Sequence, residues 1–222
     1  MLKNILRSSS FLFIIFSIIV FSNSEFIFSE KKVTIEDAHN ALKFNNFDKA
    51  VELYSNLIDN YSKYAPFFYG RGMAYYYLNK NQEAESDFQK AINLDNNYFD
   101  AQLGLALVLI GEGKNKKSYD FLNKAIQINP NSSDAFYSRG LLNYVEQNFT
   151  NSVEDFSEAI KLNENNLNAI YGRAISYYQL EDFNNAKVDF EHFVSKNDSS
   201  QELKNETNRL LKLIEKFNNL IN

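Results

Sequence analysis

Few residues in this 222-residue chain have the type and spacing that chemistry needs. Gly70, Arg71 and Gly72 form GRG inside YGRGMAYYYL, residues 69–78. Glycines beside a cation cradle phosphate when a strand precedes them and a helix follows, because backbone N–H groups then face the anion. Here the flanks are PFFY and MAYYYL, with no strand-like run before and no Lys-Ser or Lys-Thr after. GEGKNKK at 111–117 lacks the spacing of a phosphate loop and reads as a solvated turn in which Gly supplies backbone freedom. The two histidines, His39 and His192, stand too far apart to form a local metal pair, and neighbouring acids such as Glu83 and Glu85 read as solvated helix surface. With no cysteine, thiolate nucleophiles, thiolate metal sites and disulfides are excluded. No catalytic or metal-binding constellation emerges, so the expectation is a non-enzyme without cofactor or metal.

The elements that carry these residues are expected to be helices. Hydrophobic residues make up 45% of the chain and aromatics 15%, enough for a core, yet only 7 Gly and 2 Pro interrupt it. An all-β chain of this length would need many more turn residues. The first 24 residues hold Lys3 and Arg7 and no acid, which leaves 21 cations against 28 acids, a net of −7, in the rest. An acidic body argues against nucleic acid as a partner, since that binding draws on Lys and Arg neutralising phosphates.

The start, MLKNILRSSSFLFIIFSIIVFSNSE, has a basic flank, an apolar run over residues 11–21 and small residues at Ser22 and Ser24. This order matches a secretory signal over residues 1–24 with cleavage after Ser24, followed by a short linker at 25–30. The alternative is an uncleaved membrane anchor, for which 11 residues are short against the roughly 20 that a spanning helix needs. Either way the repeats are expected on the non-cytoplasmic side, whether periplasmic, secreted or membrane-anchored.

YGRGMAYYYL at 69, YSRGLLNYVE at 137 and YGRAISYYQL at 171 begin 68 and 34 residues apart, so the period is 34. LGLALVLIGE at 103 and IEDAHNALKF at 35 fill the remaining phases without a gap. Five units follow, 31–64, 65–98, 99–132, 133–166 and 167–200. Position eight of each is small (Ala38, Gly72, Ala106, Gly140, Ala174), and so is position twenty (Ala50, Ala84, Ser118, Ser152, Ala186). Position twenty-four carries Tyr54, Phe88, Leu122, Phe156 and Phe190. This signature resembles the tetratricopeptide repeat (TPR), a helix-turn-helix of 34 residues. The resemblance implies an all-α, right-handed α-solenoid of five helical pairs. Residues 201–222, with Leu203, Leu210, Ile214, Phe217 and Ile221 at helical spacing, read as a capping helix over the last open face. Gln102 departs from the family's aromatic at position four, and the closing proline survives only as Pro130.

Arginine at position seven (Arg71, Arg139, Arg173) occurs in the three units that have aspartate at position twenty-three (Asp87, Asp155, Asp189). Units one and three lack both, with Asp37 and Leu53, and Leu105 and Phe121. The joint appearance predicts structural ion pairs within each unit. In this reading Gly72 lets helices touch, and Gly70 is a permissive surface position.

The resemblance also implies a function. In the family, positions five, nine and twelve of each first helix, with position two, line a concave groove that takes a partner's peptide or helix. Here those three positions are Ile35, His39 and Leu42; Tyr69, Met73 and Tyr76; Leu103, Leu107 and Ile110; Tyr137, Leu141 and Tyr144; Tyr171, Ile175 and Tyr178. They share one helical stripe and are almost all apolar or aromatic. The Lys, Asn and Arg with which one subtype clamps a C-terminal carboxylate are absent, since Ile35, His39, Gly70, Asp100 and Gly104 stand there. The expectation is therefore a protein-protein interaction scaffold for an apolar or aromatic segment. A membrane-tethered assembly factor that self-associates is the alternative, and the membrane enters only through residues 11–21 if these are uncleaved.

Overall fold

A computed structural model describes residues 33–196 and 201–221. The leader lies outside the described residues, so neither the signal nor the anchor reading meets the structure. Eleven helices run in tandem among the described residues, without a strand. The first three pairs are α1 (Ile35–Lys43) with α2 (Phe47–Asn60), α3 (Ala65–Tyr77) with α4 (Asn81–Leu94), and α5 (Phe99–Gly111) with α6 (Asn115–Ile128). Then follow α7 (Ser133–Val145) with α8 (Phe149–Leu162), α9 (Leu167–Gln179) with α10 (Phe183–Lys196), and the single α11 (Gln201–Ile221). Each helix packs on the one before it and on the one after it, the arrangement of an all-α solenoid.

The period is written into the backbone. Between the helices of the five pairs, Asn45, Asn79, Gly113, Gln147 and Glu181 all have positive φ, from 57° to 71°. These are five copies of one left-handed turn residue, 34 apart, and only Gly113 takes that conformation without steric cost. The joints between pairs use local side chains. The carboxylate or amide oxygen of Asp95, Asn129 and Asn163 accepts from the N–H two residues on, at 3.0, 3.1 and 3.1 Å. Ser132 and Asn166 then cap α7 and α9 by accepting from Ala135 N and Ala169 N. The Asn-rich joint before α5 offers no such cap, because Tyr98 occupies the N-cap position.

Close approach of the helices comes from small residues around the ring at position twenty-four. Phe88 lies between Gly72 of its own pair and Gly104 of the next, and Phe156 lies likewise between Gly140 and Gly172. A Cβ on any of these four glycines would stand 2.5–2.9 Å from the ring. At the first joint Gly70 is buried beneath Tyr54, whose ring a Cβ there would overlap. Gly70 is therefore not a permissive surface position. It is one side of a slot, and small residues at position six (Gly70, Gly104, Ser138, Gly172) were the signal for it. Where position twenty is serine, Ser118 and Ser152 donate to the carbonyls of Ala106 and Gly140 at 3.0 and 2.9 Å, so the hydroxyls are satisfied inside the contact. At position twenty-seven Leu57 and Phe193, larger than the alanines of the three middle units, are buried.

Ile214 of α11 is buried on the fifth pair, with Leu210 and Leu211 half-buried beside it, and Leu203 is half-buried nearer the start of the helix. Phe217 stays exposed although its ring meets Phe183 at 4.8 Å. The capping helix thus leaves part of its apolar face open.

Candidate partner-binding groove

The arginine bridges hold the stripe-bearing helices in place. Arg71 donates to both carboxylate oxygens of Asp87 at 2.7 and 2.8 Å, and Arg173 to those of Asp189 at 2.8 and 2.9 Å. Arg139 donates to Asp155 at 2.6–3.2 Å. All three aspartates are buried at 5% exposure, and such two-pronged contacts fix helix geometry as well as charge. The hydrogen bond that Arg71 donates to Asp87, with the Asp87 charge, raises the pKa of Arg71, and Asp189 acts on Arg173 in the same way.

Sequence reasoning missed a third partner. Each arginine's Nη1 donates to the pair before it: Arg71 to Ser55 at 3.0 Å, Arg139 to Asn123 at 2.8 Å, and Arg173 to Ser157 at 3.2 Å. One guanidinium therefore ties three helices, and the acceptor recurs at one position of the preceding unit. In the fourth pair the buried Asn143 extends the network, accepting from Tyr119 and donating to Asp155 at 2.8 Å. The third pair puts apolar groups at the same place, with Leu105 buried and Phe121 half-buried. Gln102 is buried there and donates to the Asn96 carbonyl at 3.0 Å, which accounts for an amide where the family has a ring, while its Oε1 has no partner.

The stripe residues lie at the surface of the first helices of the pairs. Ile35 and His39 are exposed; Leu42, Tyr69, Met73, Tyr76, Leu103, Leu107, Ile110, Tyr137, Leu141, Tyr144, Tyr171, Ile175 and Tyr178 are all half-buried. None is sequestered. The tyrosines at position five rest on the ring of their own second helix, Tyr69 on Phe88, Tyr137 on Phe156 and Tyr171 on Phe190, each at 5.9 Å between centroids. Tyr144 on Phe149 and Tyr178 on Phe183 repeat a second contact at 5.5 Å. One edge of each ring is thus packed and the other is open, which makes the tyrosines rigid contact area at little entropic cost. In the fourth and fifth pairs, Tyr137, Leu141, Tyr144, Tyr171 and Ile175 converge on one cavity of about 190 Å³, backed by Phe156 and Gly172.

Nearer the first pair the same face is phenolic. Tyr69 and Tyr98 meet at 5.4 Å, edge to face. Burial first, then the Asp100 charge, pushes the Tyr69 hydroxyl up to about 12 and raises that of Tyr98 further. Tyr54, 1% exposed, is pushed up to about 12 by burial and then by Tyr69, and its hydroxyl has no hydrogen-bond partner.

For chemistry the described residues offer little. No group of three or more His, Asp or Glu is placed to hold a metal among them, and His39 and His192 are both exposed in different pairs. The glycines of GRG face aromatic rings, so no anion cradle forms there. No helix among the described residues is long and apolar enough to cross a membrane.

Residues 65–98 and 99–132, the second and third pairs, each match a family model described as tetratricopeptide repeat. No curated protein sequence matches the chain. Among solved structures, MamA (residues 41 to end) from Desulfovibrio magneticus RS-1 is 19% identical, with a TM-score of 0.66 over 73% of this chain and 93% of that one. YrrB, described as a TPR protein with an unusual peptide-binding site, is 20% identical, with a TM-score of 0.61 over 78% and 90%. TTC0263 of Thermus thermophilus, a thermophilic TPR protein, is 13% identical, with a TM-score of 0.63 over 78% and 95%. At these identities the likeness is one of fold. Residues 65–132 are thus two tetratricopeptide repeats, and the helix pairs on either side of them carry the same turn and the same period.

Proposed function

We propose that the chain is an exported, non-catalytic scaffold that holds an apolar or aromatic peptide or helix of a partner protein in its concave groove. The observation that carries this is the open cavity of about 190 Å³ at Tyr137, Leu141, Tyr144, Tyr171 and Ile175. Five residues from the first helices of two successive pairs present apolar surface to it, and exposed contiguous apolar surface marks interaction sites. The peptide-binding site described for YrrB supports the same use of the fold. The basic flank, apolar run and small residues of positions 1–24 support export.

A pull-down with the exported form tests the groove. Tyr137→Ala and Leu141→Lys are expected to abolish capture of the partner while the helical content stays unchanged. Undiminished capture by both variants places binding elsewhere.

A second reading, the membrane-tethered assembly factor that self-associates, draws on apolar side chains left open at both ends. Phe44 is 73% exposed on the first pair, and Leu213 is 54% exposed on α11. The mass of the mature chain separates tether from soluble form, and light scattering separates monomer from oligomer.

A further inference from the structure

The two ends of the groove differ in chemistry. The cavity at the fourth and fifth pairs is lined mainly by aromatic and aliphatic side chains, with Asn168 and no charged residue, whereas the stretch between the first and third pairs gathers Tyr69, Tyr98 and the carboxylate of Asp100. Asp100 stands at position two of the third pair, in the first turn of α5, on the face that the stripe occupies. Among the described residues no side chain forms a hydrogen bond or ion pair with it, and the only influence on its carboxyl is desolvation, which raises its pKa. Tyr69 and Tyr98 both feel its charge, and Tyr98 also feels Tyr54 and Tyr64, so these groups form one cluster.

A carboxylate without a cation and two phenol rings set edge to face beside it share one complement, a positively charged donor. The carboxylate supplies the counter-charge, the ring faces attract a cation through their quadrupoles, and the phenol oxygens accept remaining N–H bonds. The net charge of −7 beyond the leader favours approach of a basic segment. Asp134 holds the equivalent place in the fourth pair, but Ser132 and Leu103 stand where Tyr98 and Tyr69 stand around Asp100, so the aromatic part is missing.

We propose that Asp100, Tyr69 and Tyr98 receive the ammonium or guanidinium group of a lysine or arginine carried by the segment that binds the groove. This rests on the groove reading. It adds that the partner segment has a basic residue at one end and apolar residues at the other.

A random dodecapeptide library selected on the full-length chain tests it, with Asp100→Asn, Asp134→Asn and Leu141→Lys run in parallel and folding checked by circular dichroism. Asp100→Asn changes an exposed carboxylate to its isostere and is expected to fold. Sequences selected by the native chain are expected to carry Lys or Arg at a fixed distance from apolar residues, about tenfold enriched over Gln. Asp100→Asn removes the basic enrichment and keeps the apolar one, and Asp134→Asn keeps both. Undiminished basic enrichment on Asp100→Asn, or none on the native chain while Leu141→Lys still lowers recovery, overturns the cation pocket alone. Recovery that Leu141→Lys leaves unchanged overturns the groove reading and this proposal with it.

Discussion

The third helix pair and its neighbours solve one packing problem in two ways. In the second, fourth and fifth pairs a guanidinium ties three helices through a buried aspartate and an acceptor on the preceding pair. In the third, Leu105 and Phe121 fill the same place with apolar surface, and the turn residue is glycine instead of asparagine, glutamine or glutamate. The solenoid continues across both. A buried ion pair thus adds directionality to this joint without being required for the stacking, in line with the near-cancellation of desolvation and attraction in such pairs.

The largest expected effect comes from removing one side of a bridge. Arg173→Met leaves Asp189 buried and unpaired and should cost about 3 kcal/mol in urea unfolding. The double variant Arg173→Met/Asp189→Leu, which imitates the third pair, should recover most of that; equal losses in single and double would break the comparison. The same cycle at Arg139 and Asp155 should recover less, because Asn143 loses its acceptor.

Next in size are the slots. Gly172→Ala places a Cβ 2.5 Å from the Phe156 ring and should cost about 2 kcal/mol. Gly111→Ala, with nothing within 4 Å, should be neutral or slightly stabilising. Thermal melts of the two variants side by side decide it, and equal effects would contradict the sandwiching of the ring.

Tyr54→Phe gives the first pair the ring of the second, fourth and fifth and removes a buried hydroxyl without a partner, which should add about 1 kcal/mol. The sign at high pH follows from the raised pKa. A phenol that ionises near 10 when unfolded and at about 12 when folded contributes stability that is fully present below pH 10 and lost as pH rises through about 12. Alkaline unfolding of Tyr54→Phe should therefore begin at higher pH than that of the native chain, and an unchanged or earlier onset would contradict the burial. The smallest change is Gln147→Gly, which gives the fourth pair the turn residue of the third. Relief of the left-handed backbone should gain roughly 0.5 kcal/mol in chemical denaturation, where a loss would show that the side chain matters more than the backbone.

Much of this was legible from residue types alone. Arg71, Arg139 and Arg173 could be matched to their aspartates because both residues vary together from unit to unit. The stripe could be read because positions five, nine and twelve fall on one side of any helix. Harder to read were the partners that lie between units. Gly70 and Gly172 act on rings of the preceding pair, and Ser55, Asn123 and Ser157 reach arginines of the following one. Their signal is a recurrence at positions six and twenty-five, visible only once stacking says which unit meets which.

The sequence by itself determined the repeat, its period and the helical pairs, because a gap-free recurrence of small and aromatic residues fixes which faces of each helix are apolar. Only the tertiary structure decided that the Tyr54 hydroxyl is left without a partner, that Asp100 shares its surroundings with Tyr69 and Tyr98, and that five stripe residues close around one cavity. Those are properties of distance between helices of different pairs, set by how closely glycine slots let the rings seat, and no spacing along the chain contains them.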